Sequence, residues 1–192
     1  MEKKLSMIIL AGGQSRRMGT DKADLIWQGK TFLQLQIEKG QALGIEDIQV
    51  SGYRGTRCPI PITPDRFPEK GPLAGLEACL RRAKHPRCLV LSVDMPFVPV
   101  QELSLLIQEN SSHPSPVTIL KADGREQPLV GIYATSQADT MAEEITNHKG
   151  SVFAFLGRVG YCVYESPLDG HWAANINYPE QYQSIFHETA QN

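Results

Sequence analysis

The sequence predicts an α/β fold, and three observations predict it. The apolar run Met7-Ile8-Ile9-Leu10 reads as a strand buried on both faces, as in a parallel sheet. A strand, a helix and a second strand follow one another through Tyr53, which makes a βαβ unit, and the pattern recurs. Further on, Cys88 to Val93 is a continuous apolar strand that ends in Asp94. The 192 residues fit one domain over 1–192, and 41% of them are apolar, enough for a real core.

The first strand empties into a loop rich in glycine and positive charge: Ala11-Gly12-Gly13-Gln14-Ser15-Arg16-Arg17-Met18-Gly19-Thr20-Asp21-Lys22. Glycines admit positive φ and let a ligand approach the main chain, and exposed amides in such a turn make a concave anion site. Arg16, Arg17 and Lys22 lie within one loop's reach of it. The pattern is therefore read as a phosphate loop. It is neither a Walker A loop nor a Gly-x-Gly-x-x-Gly dinucleotide fingerprint, because the spacing of Gly12, Gly13 and Gly19 fits neither.

The chain continues with a short apolar piece, Ala23 to Trp27, and a turn at Gln28-Gly29-Lys30. Thr31 caps a helix running to about Leu43, with Leu33, Ile37 and Gly40 on one stripe and Gly44 ending it. Gly40 inside that helix marks a close contact. Asp47 to Tyr53 is the second strand, and 54–70 is irregular, with four prolines. Gly71-Pro72-Leu73-Ala74-Gly75 opens a helix whose core face holds Leu73, Leu76, Leu80 and Ala83, and Gly71 and Gly75 leave backbone uncovered for an anion. A tight turn with helix packing is the competing reading of this string.

Asp94, at the carboxyl end of a buried strand, faces the crevice where open α/β sheets bind ligands, and a carboxylate there suits Mg²⁺. Capping of the next helix is the alternative. Gln101 to Glu109 reads as an amphipathic helix, Ser111 to Pro116 as a loop, and Val117 to Leu120 as a strand turning at Asp123-Gly124. Arg125, ahead of a strand through Tyr133, is read as an exposed loop residue, with contact to substrate phosphate as the alternative. Ser136 caps a helix to Asn147, Ser151 to Leu156 form another helix, and Gly160 to Tyr164 a strand. Asn175 and Asn177 alternate on an extended segment, so both amides share one side.

Net charge of −2 and a pI near 6.2 give no electrostatic footprint for nucleic acid. Cys58, Cys79, Cys88 and Cys162 show no zinc spacing and read as reduced thiols of a cytoplasmic protein. The five histidines are scattered, which argues against a histidine metal site. No apolar run has the length of a signal peptide or a membrane span.

Leu10-Ala11-Gly12-Gly13-x-Ser15-x-Arg17-Met18-Gly19-x-Asp21-Lys22 resembles the signature of the MobA family of molybdenum cofactor guanylyltransferases at every fixed position. Pro64-Asp65, Gly71-Pro72-Leu73-Ala74-Gly75, Asp94-x-Pro96-Phe97 and Asn175-x-Asn177 resemble further family motifs. Two positions depart from them: Tyr178 stands where Thr is usual, and Ser51-Gly52 where relatives often carry Asn. The resemblance implies a three-layer α/β/α sandwich with a mostly parallel, Rossmann-like sheet of the nucleotide-diphospho-sugar transferase type. It implies transfer of GMP from GTP to the terminal phosphate of Mo-molybdopterin, with Mg²⁺ on Asp94 and charge held by Arg17 and Lys22.

In that reading Leu10, Ala11, Gly12, Gly13 and Ser15 cradle the nucleotide. Asp65 faces guanine or ribose, a solvated loop aspartate being the even alternative. Gly71 and Gly75 line the cleft, and Asn175 and Asn177 hold the pterin or a metal-bound oxygen. Transient contact with cofactor-donating and cofactor-receiving proteins is implied as well. A cytidylyltransferase on the same pterin, a sugar-phosphate nucleotidyltransferase and a non-catalytic cofactor carrier are the rivals. The residues themselves require one thing: Lys22 and Asp94 must meet in the folded protein.

Overall fold

In the computed structural model, which describes residues 4–12, 21–55, 58–147, 150–168, 172 and 176, the opening apolar run is strand β1 (Ser6–Leu10), buried throughout. A hairpin follows, β2 (Ile26–Trp27) and β3 (Lys30–Thr31), turning at Gln28 and Gly29, both with positive φ. Helix α1 (Phe32–Ala42) starts from a capping box in which Thr31 Oγ1 accepts the Gln34 amide and Gln34 Oε1 accepts the Thr31 amide. Strand β4 (Asp47–Ser51) ends two residues before the sequence predicts, because Gly52 turns the chain at φ 79°. A short strand, β5 (Ile62–Thr63), breaks the segment predicted to be irregular.

Helix α2 (Pro72–Arg82) leads to strand β6 (Arg87–Ser92) and helix α3 (Val100–Ser112). Strands β7 (Val117–Ala122) and β8 (Arg125–Ala134) form a hairpin with positive φ at Asp123 and Gly124. Ser136 is not the predicted cap: it lies in a 3-10 turn, Thr135–Gln137, that precedes helix α4 (Ala138–Asn147). Helix α5 (Val152–Val159), capped by Ser151, and strand β9 (Cys162–Glu165) complete the elements.

Seven strands make one sheet in the order β5-β4-β1-β6-β8-β7-β9. Within it β1 is parallel to β4 and β6, and β8 alone runs antiparallel to both of its neighbours. Alternation along β1 divides the core. Met7 and Ile9 pack with Leu33 and Ile37 of α1 and Leu103 and Leu106 of α3. Ile8 and Leu10 pack on the other face with Leu73, Leu76 and Leu80 of α2, Met141 of α4 and Phe155 of α5. The result is a three-layer α/β/α sandwich, as predicted. Gly40 is a contact point, since a Cβ there would lie 2.5 Å from Met7 Sδ and 2.9 Å from Ile48 Cδ1. All four cysteines are free thiols, and burial pushes the Cys79 thiol up to about 12 and Cys88 further in the same direction. Among the described residues no helix is long and apolar enough to cross a membrane.

Candidate active site

From β1 the chain crosses to β4 on one side, and β6 then takes the other side. The order therefore switches at β1, and the crevice beyond the carboxyl ends of β1 and β6 is where such sheets take ligands. Two of the charged residues singled out in the sequence, Lys22 and Asp94, converge there. Lys22 Nζ lies 3.9 Å from Asp94 Oδ2, with the two side chains 19% and 26% exposed.

Lys22 opens a 3-10 turn, Lys22–Asp24, that is fixed at both ends. Asp21 Oδ1 accepts the Ala23 amide at 3.1 Å, and Tyr53 Oη donates to Asp24 Oδ1 at 2.8 Å. The aspartate of the Asp21-Lys22 pair thus caps the turn that presents the lysine. Asp94 follows β6 by two residues. The Val93 amide donates to Leu10 O at 3.1 Å, and the Ile176 amide donates to Asp94 O at 2.8 Å. From α1, Gln36 and Lys39 reach the main chain of the same turn. Burial lowers the Lys39 ammonium from 10.5 to about 7.

A second cluster lies over the ends of β1 and β4. Ser51 Oγ donates to Asp65 Oδ1 at 2.9 Å, so Asp65 is a half-buried, held carboxylate rather than a solvated one. Gly75 is buried, and a Cβ on it would lie 2.2 Å from Ser51 Oγ and 3.2 Å from Asp65 Oδ1. Its role corrects the expectation of uncovered backbone: the space beside Gly75 is filled by the Ser51–Asp65 pair. Gly71, by contrast, is exposed at the start of α2 with φ 77° and no side-chain cap. Beside this cluster the backbones of Gly12 and Gly52 touch. A Cβ on Gly52 would fall 2.4 Å from Gly12 Cα.

Leu10 and Ala11 are 4% and 3% exposed, and the Ala11 amide is spent on Ser51 O at 2.8 Å. They form a buried floor, and Gly12 is the first exposed residue after β1. Gly13, Ser15, Arg17, Asn175 and Asn177 lie outside the described residues, as do His148 and Lys149. Arg125 is exposed at the start of β8.

Sequence reasoning missed Gln36, Lys39 and Tyr53, and took Ser51-Gly52 only as a departure from a pattern. A glycine directly after a strand was the available signal for Gly52; the other contacts join distant parts of the chain. A cavity of about 670 Å³ lies behind the Lys22 turn, between Asp24, Leu33, Gln34, Ile37, Tyr53 and Pro59, and neither Asp94 nor Asp65 lines it. Asp24 in it is already bonded to Tyr53, and Gln34 to Thr31, which leaves the residues of the crevice as the candidate chemistry.

Residues 7–158 match the family model described as the MobA-like NTP transferase domain. A probable molybdenum cofactor guanylyltransferase of Carboxydothermus hydrogenoformans is 28% identical over 190 residues, covering 95% of each chain. A molybdenum cofactor guanylyltransferase of Rhizobium johnstonii is 32% identical over 186 residues, covering 90% of this chain and 87% of that one. The crystal structure of molybdopterin-guanine dinucleotide biosynthesis protein A from Archaeoglobus fulgidus superposes with a TM-score of 0.81 at 24% identity, covering 97% of this chain and 100% of that one. A Thermus thermophilus cytidylyltransferase, which acts on 2-C-methyl-D-erythritol 4-phosphate by its name, shares the fold at a TM-score of 0.69 and 18% identity, covering 97% of this chain and 98% of that one.

Proposed function

The chain belongs to the MobA-like NTP transferase domain family, and from that membership we propose that it is a molybdenum cofactor guanylyltransferase. It moves GMP from GTP to the terminal phosphate of Mo-molybdopterin and releases pyrophosphate. The names of the relatives from C. hydrogenoformans and R. johnstonii support the reading. The observation that carries it in this chain is the meeting of Lys22 and Asp94 at 3.9 Å over the carboxyl ends of β1 and β6.

An oxygen of the molybdopterin phosphate attacks the α-phosphorus of GTP. The bond from that phosphorus to the α,β-bridging oxygen breaks, and its electron pair leaves with pyrophosphate. A phosphate monoester is already anionic at neutral pH, so no residue has to remove a proton. The barrier is repulsion between anions, which fixed charge and positioning lower. Lys22 offsets charge on the phosphates, with Arg17 of the same loop as its partner in that role. The exposed Gly12, with Gly13 after it in the sequence, would admit the nucleoside, and Ser15 and the amides near Gly71 would serve the phosphates. Asp65, held by Ser51 and given room by Gly75, faces guanine or ribose. Asn175 and Asn177 sit on the segment whose Ile176 is bonded to Asp94, which supports a place for them on the pterin side.

Mg²⁺ fits the donors present. Asp94 offers one partly exposed carboxylate, and among the described residues no three His, Cys, Asp or Glu side chains converge, so a triphosphate has to complete the shell. When bound it would neutralise charge on the α-phosphate and the leaving group; Asp94 is the residue that would hold it. A cytoplasmic setting and transient contacts with proteins that supply and receive the cofactor belong to the same proposal.

Calorimetry with GTP, CTP, ATP and UTP, each with and without Mg²⁺, tests it together with a transfer assay using Mo-molybdopterin. Selective Mg²⁺-dependent binding of GTP and formation of the guanine dinucleotide are expected. Preference for CTP overturns the guanine assignment, and binding without turnover makes the protein a carrier.

A further inference from the structure

The turn that carries Asp94 is gripped from behind by Gln36 and Lys39, which lie outside every motif. Gln36 of α1 is fully buried. Its amide nitrogen donates to Ser92 O at 2.7 Å and to Met95 O at 3.1 Å, carbonyls on either side of Asp94. Lys39, three residues along the helix, donates to Pro96 O at 2.6 Å and to Gln36 Oε1 at 3.0 Å. Among the described residues no carboxylate lies within 4.0 Å of that ammonium, so the bonds to Pro96 and Gln36 hold it. Phe97 then stands edge-on to Trp27, centroids 5.3 Å apart, and to Phe32, 6.1 Å apart. Trp27 is five residues beyond Lys22, and Phe32 opens α1.

Burying an amide and an ammonium on carbonyls is a costly way to make a turn. Such groups are desolvated and lose rotamer freedom, and apolar side chains would fill the same space without that cost. What they add is direction. A hydrogen bond fixes its partner to a few tenths of an ångström, and edge-to-face rings lock orientation as well. The grip spans the two halves of the site, since one end is the Asp94 turn and the other is the segment that follows Lys22.

We propose that Gln36, Lys39 and Phe97 form a positioning clamp that holds Asp94 at its working distance from Lys22, and so sets the rate of nucleotidyl transfer without touching substrate. The proposal rests on the function proposed above. A misplacement of 1 Å by a residue far from the reacting atoms costs about 100-fold in rate, which sets the scale of the effect.

The test uses the full chain and four variants. Gln36→Glu keeps the size of the side chain and removes both donors. Lys39→Met removes the third bond, Lys39→Arg keeps a donor, and Phe97→Leu removes the ring. In Gln36→Glu, Lys39→Met and Phe97→Leu, kcat is expected to fall about 10- to 100-fold. The KM for GTP stays within about 3-fold, because positioning acts on the transition state rather than on ground-state binding. The half-saturating Mg²⁺ concentration rises, and Lys39→Arg recovers most of kcat.

A second readout needs no turnover. In a Trp172→Phe background Trp27 is the only tryptophan, since the chain has two. Its ligand-free emission is expected to move to longer wavelength in Gln36→Glu and Lys39→Met and to stay in place in Lys39→Arg. Variants that keep wild-type kcat and Trp27 emission at temperatures where they are folded overturn the clamp. A parallel loss of kcat and of folded protein, with unchanged kcat per folded molecule, overturns it too. If the wild type transfers no nucleotide, the functional reading fails, and the emission arm still decides whether the grip exists.

Discussion

Gly75→Ala is the sharpest probe of the Ser51–Asp65 cluster. In a helix interior this change ordinarily stabilises by about 1 kcal/mol. Here the new methyl would lie 2.2 Å from Ser51 Oγ, 3.1 Å from Ser51 Cβ and 3.2 Å from Asp65 Oδ1. The hydroxyl has to swing away, and its 2.9 Å bond to a carboxylate goes with it. A hydrogen bond to a charged group is worth about 1.5–3 kcal/mol, so Gly75→Ala is expected to destabilise by roughly 0.5–2 kcal/mol net. Ser51→Ala alone costs about 1.5–3 kcal/mol by losing the same bond. In the Gly75→Ala background its sign reverses: with no hydroxyl to collide with, the double variant should be more stable than Gly75→Ala by about 1 kcal/mol. Urea unfolding of the four proteins measures the cycle, and GTP calorimetry follows the same ranking if Asp65 faces the nucleotide. Additive stabilities, or a double variant less stable than Gly75→Ala, would refute the packing argument.

Asp94→Asn and Lys22→Met should each lower GMP transfer by about 100-fold or more while leaving the fold intact; thermal melts and single-turnover assays check both, and near-wild-type rates would remove the pair from the mechanism. Gly52→Ala puts a side chain at φ 79° and 2.4 Å from Gly12 Cα, where only backbone can yield, so a loss of about 3 kcal/mol is expected by denaturant titration. Lys39 makes a signed prediction against pH. Its folded value, about 7, lies below the ordinary 10.5, so the cost of keeping the charge is full below pH 7 and vanishes as pH rises through 10.5. Relative to Lys39→Met, the wild type should therefore gain stability between pH 7 and 10, by at most about 5 kcal/mol; a difference flat in pH, measured by urea unfolding at pH 6.5 and 9.5, would contradict the burial of that amine.

What the sequence disclosed and what it hid follow from range. Thr31 with Gln34 caps α1 from three residues away, and Met7 to Leu10 reads as a buried strand by composition alone, so both were legible. Strand β5 is two residues between Pro61 and Pro64, and it exists only because Val50 and Ser51 of β4 offer it an edge. Local chemistry carries no trace of that pairing. The Lys22–Asp94 pair was legible as the loop after one buried strand and the end of another, each with the right side chain. Its supports were not, since Gln36 meets Ser92 and Lys39 meets Pro96 across more than fifty residues. Gly75 shows the same limit from the other side: two glycines around Pro72 look alike in sequence, yet one is an open helix start and the other is clearance for a buried hydroxyl.

The looseness of the central ion pair has a consequence for stability. Elsewhere the chain makes tight pairs, such as Arg66 with the fully buried Glu77 at 2.7 Å, and parting charges like those strands a buried carboxylate at a cost of about 3–5 kcal/mol. Lys22 and Asp94 stand 3.9 Å apart and remain partly open to water, where a pair contributes about 0–1 kcal/mol. Parting this one contact therefore costs little stability. Rigidity is supplied instead at the main chain beneath them, by Asp21 and Tyr53 under the lysine and by Gln36 and Lys39 under the aspartate. The main chain beneath both residues is firmly held, and the 3.9 Å contact between their side chains is a loose one.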